Sequence, residues 1–197
     1  TDILEQARSK YDLRKPFMYY PAASWPHKNH KALLSAIKII KENNGFDGQL
    51  VLTGIAKASH DDILREIERL DLKEDVKFLG YLPYEDLPMI YNLARMLVFP
   101  SLFEGFGIPL VEAMACGCPV ACSETTSLPE VIGTAGVLFN PKSPQDIAEK
   151  TWSVWSDHDR RQRMRAAGLE RVMEFDWGNA AIKTVAVYQK AIERKLR

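Results

Sequence analysis

The chain alternates short apolar runs with longer segments in which apolar residues recur every three or four positions. The apolar runs predict six strands, at residues 17–20, 50–53, 76–79, 96–99, 119–122 and 137–139. The helical periodicity predicts eight helices, at residues 31–43, 61–70, 84–93, 108–116, 128–132, 144–155, 159–174 and 177–195. Because strands that alternate with helices build βαβ units, the pattern predicts an α/β fold, a parallel sheet with helices on both faces.

Glycines stand directly after several of the predicted strands. Gly54 follows the second strand, Gly80 follows the third, and Gly105 and Gly107 follow the fourth. In open parallel sheets, ligands bind outside the carboxyl ends of the strands. We therefore expect the loops after these strands to converge on one crevice.

Residues 96–116 carry the clearest indication of chemistry. The apolar run ends at Pro100, a loop with two glycines follows, and a helix begins near Ile108 and Pro109. The unpaired N–H groups at the start of a helix, together with the positive end of its dipole, favour an anion such as phosphate. Pro109 suits this first turn, because the N–H group that proline lacks has no partner within the helix.

Two carboxylates bracket this glycine loop, with Glu104 inside the loop and Glu112 one turn into the helix. Glycine lets the main chain approach a ligand closely, so we expect residues 105–108 to contribute backbone N–H groups. Such N–H groups for phosphate, flanked by acceptors for hydroxyl groups, fit a sugar nucleotide. The alternatives are a plain strand-to-helix turn, an ordinary loop carboxylate at Glu104 and a carboxylate at Glu112 that merely complements the helix dipole.

Composition narrows the class of protein. The 197 residues, 46% of them hydrophobic, suffice for one substantial core. Equal numbers of basic and acidic residues, 26 of each, argue against a nucleic-acid surface. No apolar run approaches the roughly 20 residues of a membrane span, and no signal peptide is recognisable. The three cysteines fit a reducing compartment better than a disulfide scaffold, so composition predicts a cytoplasmic α/β domain.

Several blocks of the chain resemble a known family. Residues 104–112 read Glu-Gly-Phe-Gly-Ile-Pro-Leu-Val-Glu. This segment is similar to the glutamate, seven residues, glutamate signature of retaining glycosyltransferases of the GT4 family, which have the two-domain GT-B fold. Residues 76–80, 128–132 and 175–177 resemble three further blocks, the last of them Phe-Asp-Trp in place of Phe-Ser-Trp. The resemblance covers residues 17–188 and predicts a Rossmann-like domain, the C-terminal half of a GT-B enzyme.

The resemblance implies a division of tasks within a longer protein. Residues 1–197 would form a single nucleotide-sugar-binding domain, while an absent N-terminal domain would bind the acceptor. The helix within residues 175–197 is expected to pack on that absent domain. The complete enzyme would transfer a hexose from a nucleoside diphosphate to a hydroxyl acceptor in glycan or polysaccharide synthesis. We expect the isolated chain to bind nucleotide but to transfer sugar poorly, and peripheral membrane association of the full enzyme is compatible with a lipid-linked acceptor.

The resemblance also implies roles for single residues. Glu112 is expected to hold the nucleotide ribose, and Glu104 to contact hydroxyl groups of the donor sugar near the anomeric carbon. Lys28, in the loop after the first strand, is the candidate catalytic cation, because a departing diphosphate requires positive charge. The loop after the third strand is expected to contact the nucleobase through backbone groups. The expected donor-binding residues are Gly54, Tyr81, Leu82, Gly105, Phe106, Gly107, Ile108, Leu110 and Glu112.

The chain departs from the family pattern at one cation. The family often has an arginine six positions before the lysine, where this chain has Ala22. His27, His30 and Lys57 are candidate substitutes. The two histidines fit a surface pair at the start of a helix equally well.

Three polar or sulfur-rich clusters have structural alternatives. Residues 125–127, Thr125, Thr126 and Ser127, either reach a phosphate or cap the helix that follows. The Asp-His-Asp string at residues 157–159 is expected to cap a helix rather than to bind a metal. The cysteines at positions 116, 118 and 122 match no zinc spacing and fit a tight helix-to-strand turn. We therefore expect no metal and no cofactor besides the donor substrate.

Two related donors and several other functions fit the sequence. Residues 20–30 resemble mannosyltransferases of polysaccharide assembly, which favours GDP-mannose, with UDP-hexoses as the alternative. A non-catalytic nucleotide-sugar-binding module and a GT-B sugar-nucleotide epimerase are the alternative functions. A phosphorylase would require a pyridoxal lysine in a distinct context that the sequence does not show.

Overall fold

Six strands, nine α-helices and three short 3₁₀ helices lie in the part of the chain that the computed structural model describes, residues 2–195, with side chains described for residues 3–194. The first of the 3₁₀ helices is Pro26–Lys28. The strands are β1 (Phe17–Pro21), β2 (Gln49–Thr53), β3 (Val76–Phe78), β4 (Met96–Phe99), β5 (Val120–Ser123) and β6 (Val137–Phe139). The helices are α1 (Asp2–Lys10), α2 (His30–Asn44), α3 (His60–Arg69), α4 (Leu87–Leu93), α5 (Ile108–Ala115), α6 (Leu128–Ile132), α7 (Pro144–Trp155), α8 (His158–Arg171) and α9 (Trp177–Lys195).

All six strands are parallel and lie in the order β3-β2-β1-β4-β5-β6. This arrangement confirms the predicted parallel sheet. The strand order reverses between β1 and β4, which makes their junction the switch point where open parallel sheets bind ligands. The loop after β1 carries Lys28 and the loop after β4 carries Glu104, so the two candidate catalytic residues flank the switch point.

Helices cover both faces of the sheet, as predicted. Tyr19 and Tyr20 are consecutive in β1, so their side chains leave opposite faces. Tyr19 packs edge-to-face against Tyr91 of α4, with ring centroids 5.1 Å apart. Tyr20 packs against His30 of α2, with ring centroids 4.9 Å apart. Because both faces are buried, the strands read as continuous apolar runs instead of alternating ones.

The predicted strands and helices are all present, with ends that differ by a few residues. The predicted helix over residues 84–93 begins as a 3₁₀ turn (Tyr84–Asp86) before α4, and the predicted helix over residues 159–174 ends in a similar turn (Val172–Glu174). Both differences lie at helix ends, where the hydrogen bonding commonly tightens to the 3₁₀ pattern.

The sequence pattern does not predict α1. Its segment reads Asp-Ile-Leu-Glu-Gln-Ala-Arg-Ser-Lys, with few apolar side chains, and its position depends on distant contacts. Lys10 and Tyr11 both donate hydrogen bonds to the carboxylate of Asp86, which is buried beside α4. These two hydrogen bonds hold the pKa of Asp86 below its usual range, and the bond from Lys10 has the larger effect. This shared carboxylate docks α1 on α4.

α9 differs from the other helices because all of its described side chains are exposed. Trp177, Val185, Tyr188 and Ile192 recur along one side with helical spacing, and Trp177 is 87% exposed. The expectation that α9 packs on an absent domain stays a prediction. Within residues 2–195, no helix combines the length and the apolar character needed to cross a membrane.

His30, at the start of α2, is buried and not exposed. Its ring packs against Tyr20, and its Nδ1 atom has no hydrogen-bond partner among the described residues. Burial, together with repulsion from nearby Lys28, lowers the pKa of His30 to about 4. The imidazole is therefore neutral at pH 7, and the expectation of a surface histidine pair is wrong.

We expect His30 to make the stability of the chain depend on pH between 6.5 and about 4. In this window the unfolded chain binds a proton at residue 30 that the folded chain does not bind. The free energy of unfolding therefore falls as the pH decreases through the window, by about 3 kcal/mol in total. Urea unfolding measured across this range should show a flatter pH dependence for His30→Gln than for the wild type.

The exposed His158, at the start of α8, provides the matched control. His158→Gln should retain the pH dependence of the wild type, because it removes an exposed imidazole and leaves the buried His30 in place. An equally steep pH dependence in His30→Gln would show that other groups cause it.

Candidate functional site

Backbone hydrogen bonds join the loops after the first four strands at the carboxyl edge of the sheet. The Gly54 N–H donates to the carbonyl of Gly80 (2.8 Å), which connects the loops after β2 and β3. The Leu102 N–H donates to the carbonyl of His27 (2.8 Å), which connects the loops after β4 and β1. Only glycine fits at position 54, because a Cβ there would lie 2.4 Å from the carbonyl oxygen of Ala22. These bonds hold the loops together in two pairs at one edge of the sheet, and the single crevice that they are expected to form stays a prediction.

An ion pair joins Lys28 and Glu104 across the switch point. The Nζ atom of Lys28 lies 2.5 Å from Oε1 of Glu104, and the two side chains are only 17% and 14% exposed. The same ammonium group lies 5.7 Å from the ring centre of Phe99, at the end of β4. The fold thus makes neighbours of two residues that are 76 positions apart in the sequence.

The residues around Lys28 fix its backbone. The Tyr20 hydroxyl donates a hydrogen bond to the carbonyl of Lys28 (2.6 Å). Asn29 adopts a left-handed conformation with φ of 59°, and its side-chain amide donates to the carbonyls of Pro100 (3.0 Å) and Pro141 (2.8 Å). The sequence pattern does not reveal this role of Asn29, because its partners follow two distant strands. The only local signal is that asparagine tolerates the left-handed conformation.

Hydroxyl groups of residues 125–127 hold the loop that carries Glu104. The Glu104 N–H donates to Oγ1 of Thr126 (3.2 Å), and the Ser127 hydroxyl donates to the carbonyl of Glu104 (3.0 Å). Ser127 makes no side-chain cap with α6. The capping alternative is therefore wrong, because the hydroxyl bonds to the neighbouring loop instead. Together the two hydroxyls fix both backbone polar groups of Glu104.

The glycine loop presents its backbone at the start of α5. Gly107 has φ of 93°, a conformation that favours glycine, and a Cβ there would lie 2.6 Å from the end of the Leu128 side chain. No described side chain caps α5, so the N–H group of Ile108, its first residue, is available to an anion. Leu110 is fully buried, and its N–H donates to the carbonyl of Gly107 (2.9 Å). Leu110 thus supports the loop from the core. Neither its side chain nor its N–H group is available to a ligand.

A buried tyrosine that the sequence analysis missed orients the carboxylate of Glu112. Tyr91 of α4 donates its hydroxyl to Oε2 of Glu112 (2.8 Å). Burial raises the pKa of Tyr91, so the hydroxyl keeps the proton that it donates. This bond engages Oε2 and leaves Oε1 to accept further hydrogen bonds. No sequence signal distinguishes Tyr91 from an ordinary core position of its helix.

The loop after β3 offers backbone groups and one aromatic ring. Gly80 has φ of 71°, a conformation that favours glycine. Tyr81 is 71% exposed, whereas the side chain of Leu82 is buried. A ligand at this loop can therefore meet Leu82 only through its backbone, but can meet Tyr81 through its ring.

The candidates for a second cation differ in what they contribute. His30 is excluded, because its buried imidazole is neutral at pH 7. His27 and Lys57 are both exposed. The Lys57 Nζ atom lies 5.7 Å from the ring centre of Trp25, in the loop after β1. Lys57 therefore places an ammonium group beside the loop that carries Lys28.

The aspartate and cysteine clusters have structural roles. Asp157 caps α8, because its carboxylate accepts a hydrogen bond from the N–H of Arg160 (2.8 Å). This confirms the predicted cap. Cys118 and Cys122 are buried thiols around the start of β5, and burial raises the pKa of Cys122 to about 12. A thiol with such a pKa is inert at neutral pH.

The chain matches a known family and several characterised proteins in sequence. The family described as glycosyl transferases group 1 matches residues 4–171. The chain is 36% identical to the O-antigen chain mannosyltransferase B of Escherichia coli, over 91% of the chain and 48% of that protein. It is 32% identical to the MMP alpha-(1->4)-mannosyltransferase of Mycolicibacterium hassiacum, over 92% of the chain and 44% of that protein. The chain thus spans about half the length of these curated relatives.

Solved structures share the fold. Sucrose-phosphate synthase from Thermosynechococcus elongatus superposes with a TM-score of 0.84 at 26% identity, over 96% of the chain and 49% of that protein. HepE from Anabaena, solved in complex with UDP and glucose, superposes with a TM-score of 0.81 at 21% identity, over 96% of the chain and 52% of that protein. These likenesses confirm the expected Rossmann-like fold. Because the family match extends over most of the sequence, the chain belongs to the glycosyl transferases group 1 family.

Proposed function

We propose that the crevice at the switch point binds a nucleoside-diphosphate sugar, and that the protein to which the chain belongs is a retaining hexosyltransferase. The observation that carries this proposal is the ion pair of Lys28 and Glu104 across the switch point, with Glu104 in the loop that leads into α5. A cation and a helix start suit a diphosphate, and carboxylates suit the hydroxyl groups of a sugar. Membership in a glycosyltransferase family supports this function.

Lys28 stabilises the leaving group, the nucleoside diphosphate. Its ammonium group has three N–H donors, so it can keep its bond to Glu104 and direct the others at a diphosphate. Negative charge develops on the nucleoside diphosphate as it departs, and a preorganised cation with nearby N–H groups stabilises that charge in the transition state. The bond between the anomeric carbon and the phosphate oxygen breaks, the acceptor hydroxyl oxygen bonds to that carbon on the same side, and its proton passes to the departing phosphate oxygen. The anomeric configuration is therefore retained.

Glu104 accepts hydrogen bonds from the donor sugar and does not act as a covalent nucleophile. Its backbone is held by Thr126 and Ser127, and its Oε1 atom is bonded to Lys28. A carboxylate that shares its charge with a cation is a weak nucleophile, but it is well oriented as an acceptor. The sugar therefore lies between the carboxylate of Glu104 and the backbone N–H groups of residues 105–108.

Glu112 holds the ribose through the oxygen that Tyr91 leaves available. The base then extends towards the loop after β3, where Gly80, Tyr81 and the backbone of Leu82 form its surroundings. Because this loop acts largely through backbone groups, side-chain identity does not select the base. The charge of the diphosphate is met by Lys28 and α5, so the proposed reaction requires no metal ion and no cofactor.

GDP-mannose is the donor that we favour. The relatives at 36% and 32% identity are named mannosyltransferases. UDP-hexoses are the second candidate, because HepE, which shares the fold, was solved with UDP and glucose. Acceptor binding and any membrane association belong to a part of the protein outside this chain. The apolar side of α9 packs on that part.

Two other functions make different products. A sugar-nucleotide epimerase releases free nucleotide and an altered sugar without an acceptor, and a non-catalytic module binds the sugar nucleotide without consuming it. Product analysis with the full protein therefore separates both from a transferase.

The first prediction concerns Glu112. Calorimetric titration of the chain should show saturable binding of GDP or of UDP. In Glu112→Gln, affinity should fall about tenfold to hundredfold, because a hydrogen bond to a charged group is lost. Glu149→Gln, on the exposed side of α7, is the control and should bind like the wild type. Binding of neither nucleotide by the folded chain, or equal affinity in Glu112→Gln, would contradict this assignment.

The second prediction concerns Lys28. In Lys28→Met, affinity for the nucleoside diphosphate should fall about tenfold to hundredfold, whereas affinity for the corresponding nucleoside should stay unchanged. The difference arises because Lys28 contacts only the diphosphate. Lys150→Met, an exposed substitution on α7, controls for the change in net charge. Equal losses for the nucleoside and the diphosphate in Lys28→Met would place this residue away from the phosphates.

A further inference from the structure

The Phe-Asp-Trp block, residues 175–177, has no part in the proposed contacts with the donor. It lies between the turn that ends α8 and the start of α9. Asp176 caps α9 by accepting a hydrogen bond from the N–H of Asn179 (2.9 Å), and Trp177 is exposed. Phe175 instead faces the rest of the chain, where its ring meets that of Phe106 edge-to-face, with centroids 5.6 Å apart and an interplanar angle of 85°.

Phe106 is the residue between the two glycines of the loop, and its side chain is large and aromatic. Gly105 and Gly107 flank it, and glycine loses more conformational freedom on ordering than any other residue. The beginning of the loop is held at Glu104 by the hydroxyls of residues 126 and 127. Two residues further along, the loop is held by the ring of Phe106, which is 45% exposed and packs on the ring of Phe175. The order of the loop therefore depends on where Phe175 lies.

Phe175 is itself fixed by Arg171. The guanidinium group of Arg171 lies 5.0 Å from the ring centre of Phe175. The same group donates to the carbonyls of Val131 (3.1 Å) and Glu130 (2.7 Å), in α6. A chain of contacts thus runs from α6 through Arg171 and Phe175 to the glycine loop.

We propose that Phe175 is a positioning residue for the glycine loop, holding Phe106 so that the N–H groups of residues 105–108 stay aimed at the ligand. The consequence for nucleotide binding rests on the function proposed above. The ordering of the loop itself does not, because it is a property of the free chain. An edge-to-face aromatic pair shifts such an equilibrium by about three- to tenfold.

Backbone order parameters from nitrogen-15 relaxation test the proposal without any ligand. In Phe175→Ala, the order parameters of residues 105–108 should fall from about 0.85 to below about 0.6, while those of β4 stay unchanged. Phe175→Tyr, which keeps the ring, should restore the wild-type values. Met173→Ala, in the same turn and 79% exposed, is the control and should leave the loop ordered. Unchanged order in Phe175→Ala, or an equal loss of order in β4, would overturn the proposal.

Titration with GDP and UDP then measures the consequence. Affinity should fall about three- to tenfold in both Phe175→Ala and Phe106→Ala, and no further in the double variant, because the two rings act as a unit. Additive losses would overturn the coupling of the two rings. If the wild-type chain binds neither nucleotide, the proposed function fails, and the order parameters still decide whether Phe175 holds the loop.

Discussion

The candidate site depends on the parallel direction of the six strands. Because every strand ends at the same edge of the sheet, every loop that follows a strand starts on the same side of the molecule. The reversal of strand order then opens a gap between the loops after β1 and β4, and Lys28 and Glu104 meet across it. An antiparallel β4 would carry Glu104 to the opposite edge, so the ion pair follows from the topology.

Partial burial of the ion pair requires support from the surrounding loops. Removing two charges from water is costly, and their mutual attraction offsets this cost only when the geometry is well fixed. The fixing groups are neutral: the amide of Asn29, the hydroxyl of Tyr20 and the hydroxyls of residues 126 and 127. An ion pair held in this way contributes little net stability. On the proposed function, its presence at the switch point serves binding of the donor rather than folding.

The sequence was sufficient where a signal is local and insufficient where a contact is distant. Apolar runs and glycines identified β1 to β6 and the loops that follow them, because period and turn chemistry act within a few residues. The contacts of Asn29 and Tyr91 were missed, since each partner comes from another strand or helix. α1 was missed for the same reason, since its docking depends on Asp86. For His30 the sequence left a second cation and a surface position equally open, and neither is correct, because the burial of its ring depends on how α2 packs against the sheet.

The groups that the glycine loop offers to an anion are mainly backbone dipoles with fixed partial charges, and only to a smaller extent charged side chains. The formal net charge of the chain is zero, Lys28 is already paired, and Ala22 stands where the family often has an arginine. The remaining positive potential comes from backbone N–H groups at the start of α5. Such dipoles need no reorganisation when charge develops, but their effect depends on their direction. On the proposed function, the ordered N–H groups of this loop therefore supply part of the charge stabilisation that a second cation would provide. On the same proposal, sugar transfer depends on the contacts that hold this loop at Glu104 and at Phe106.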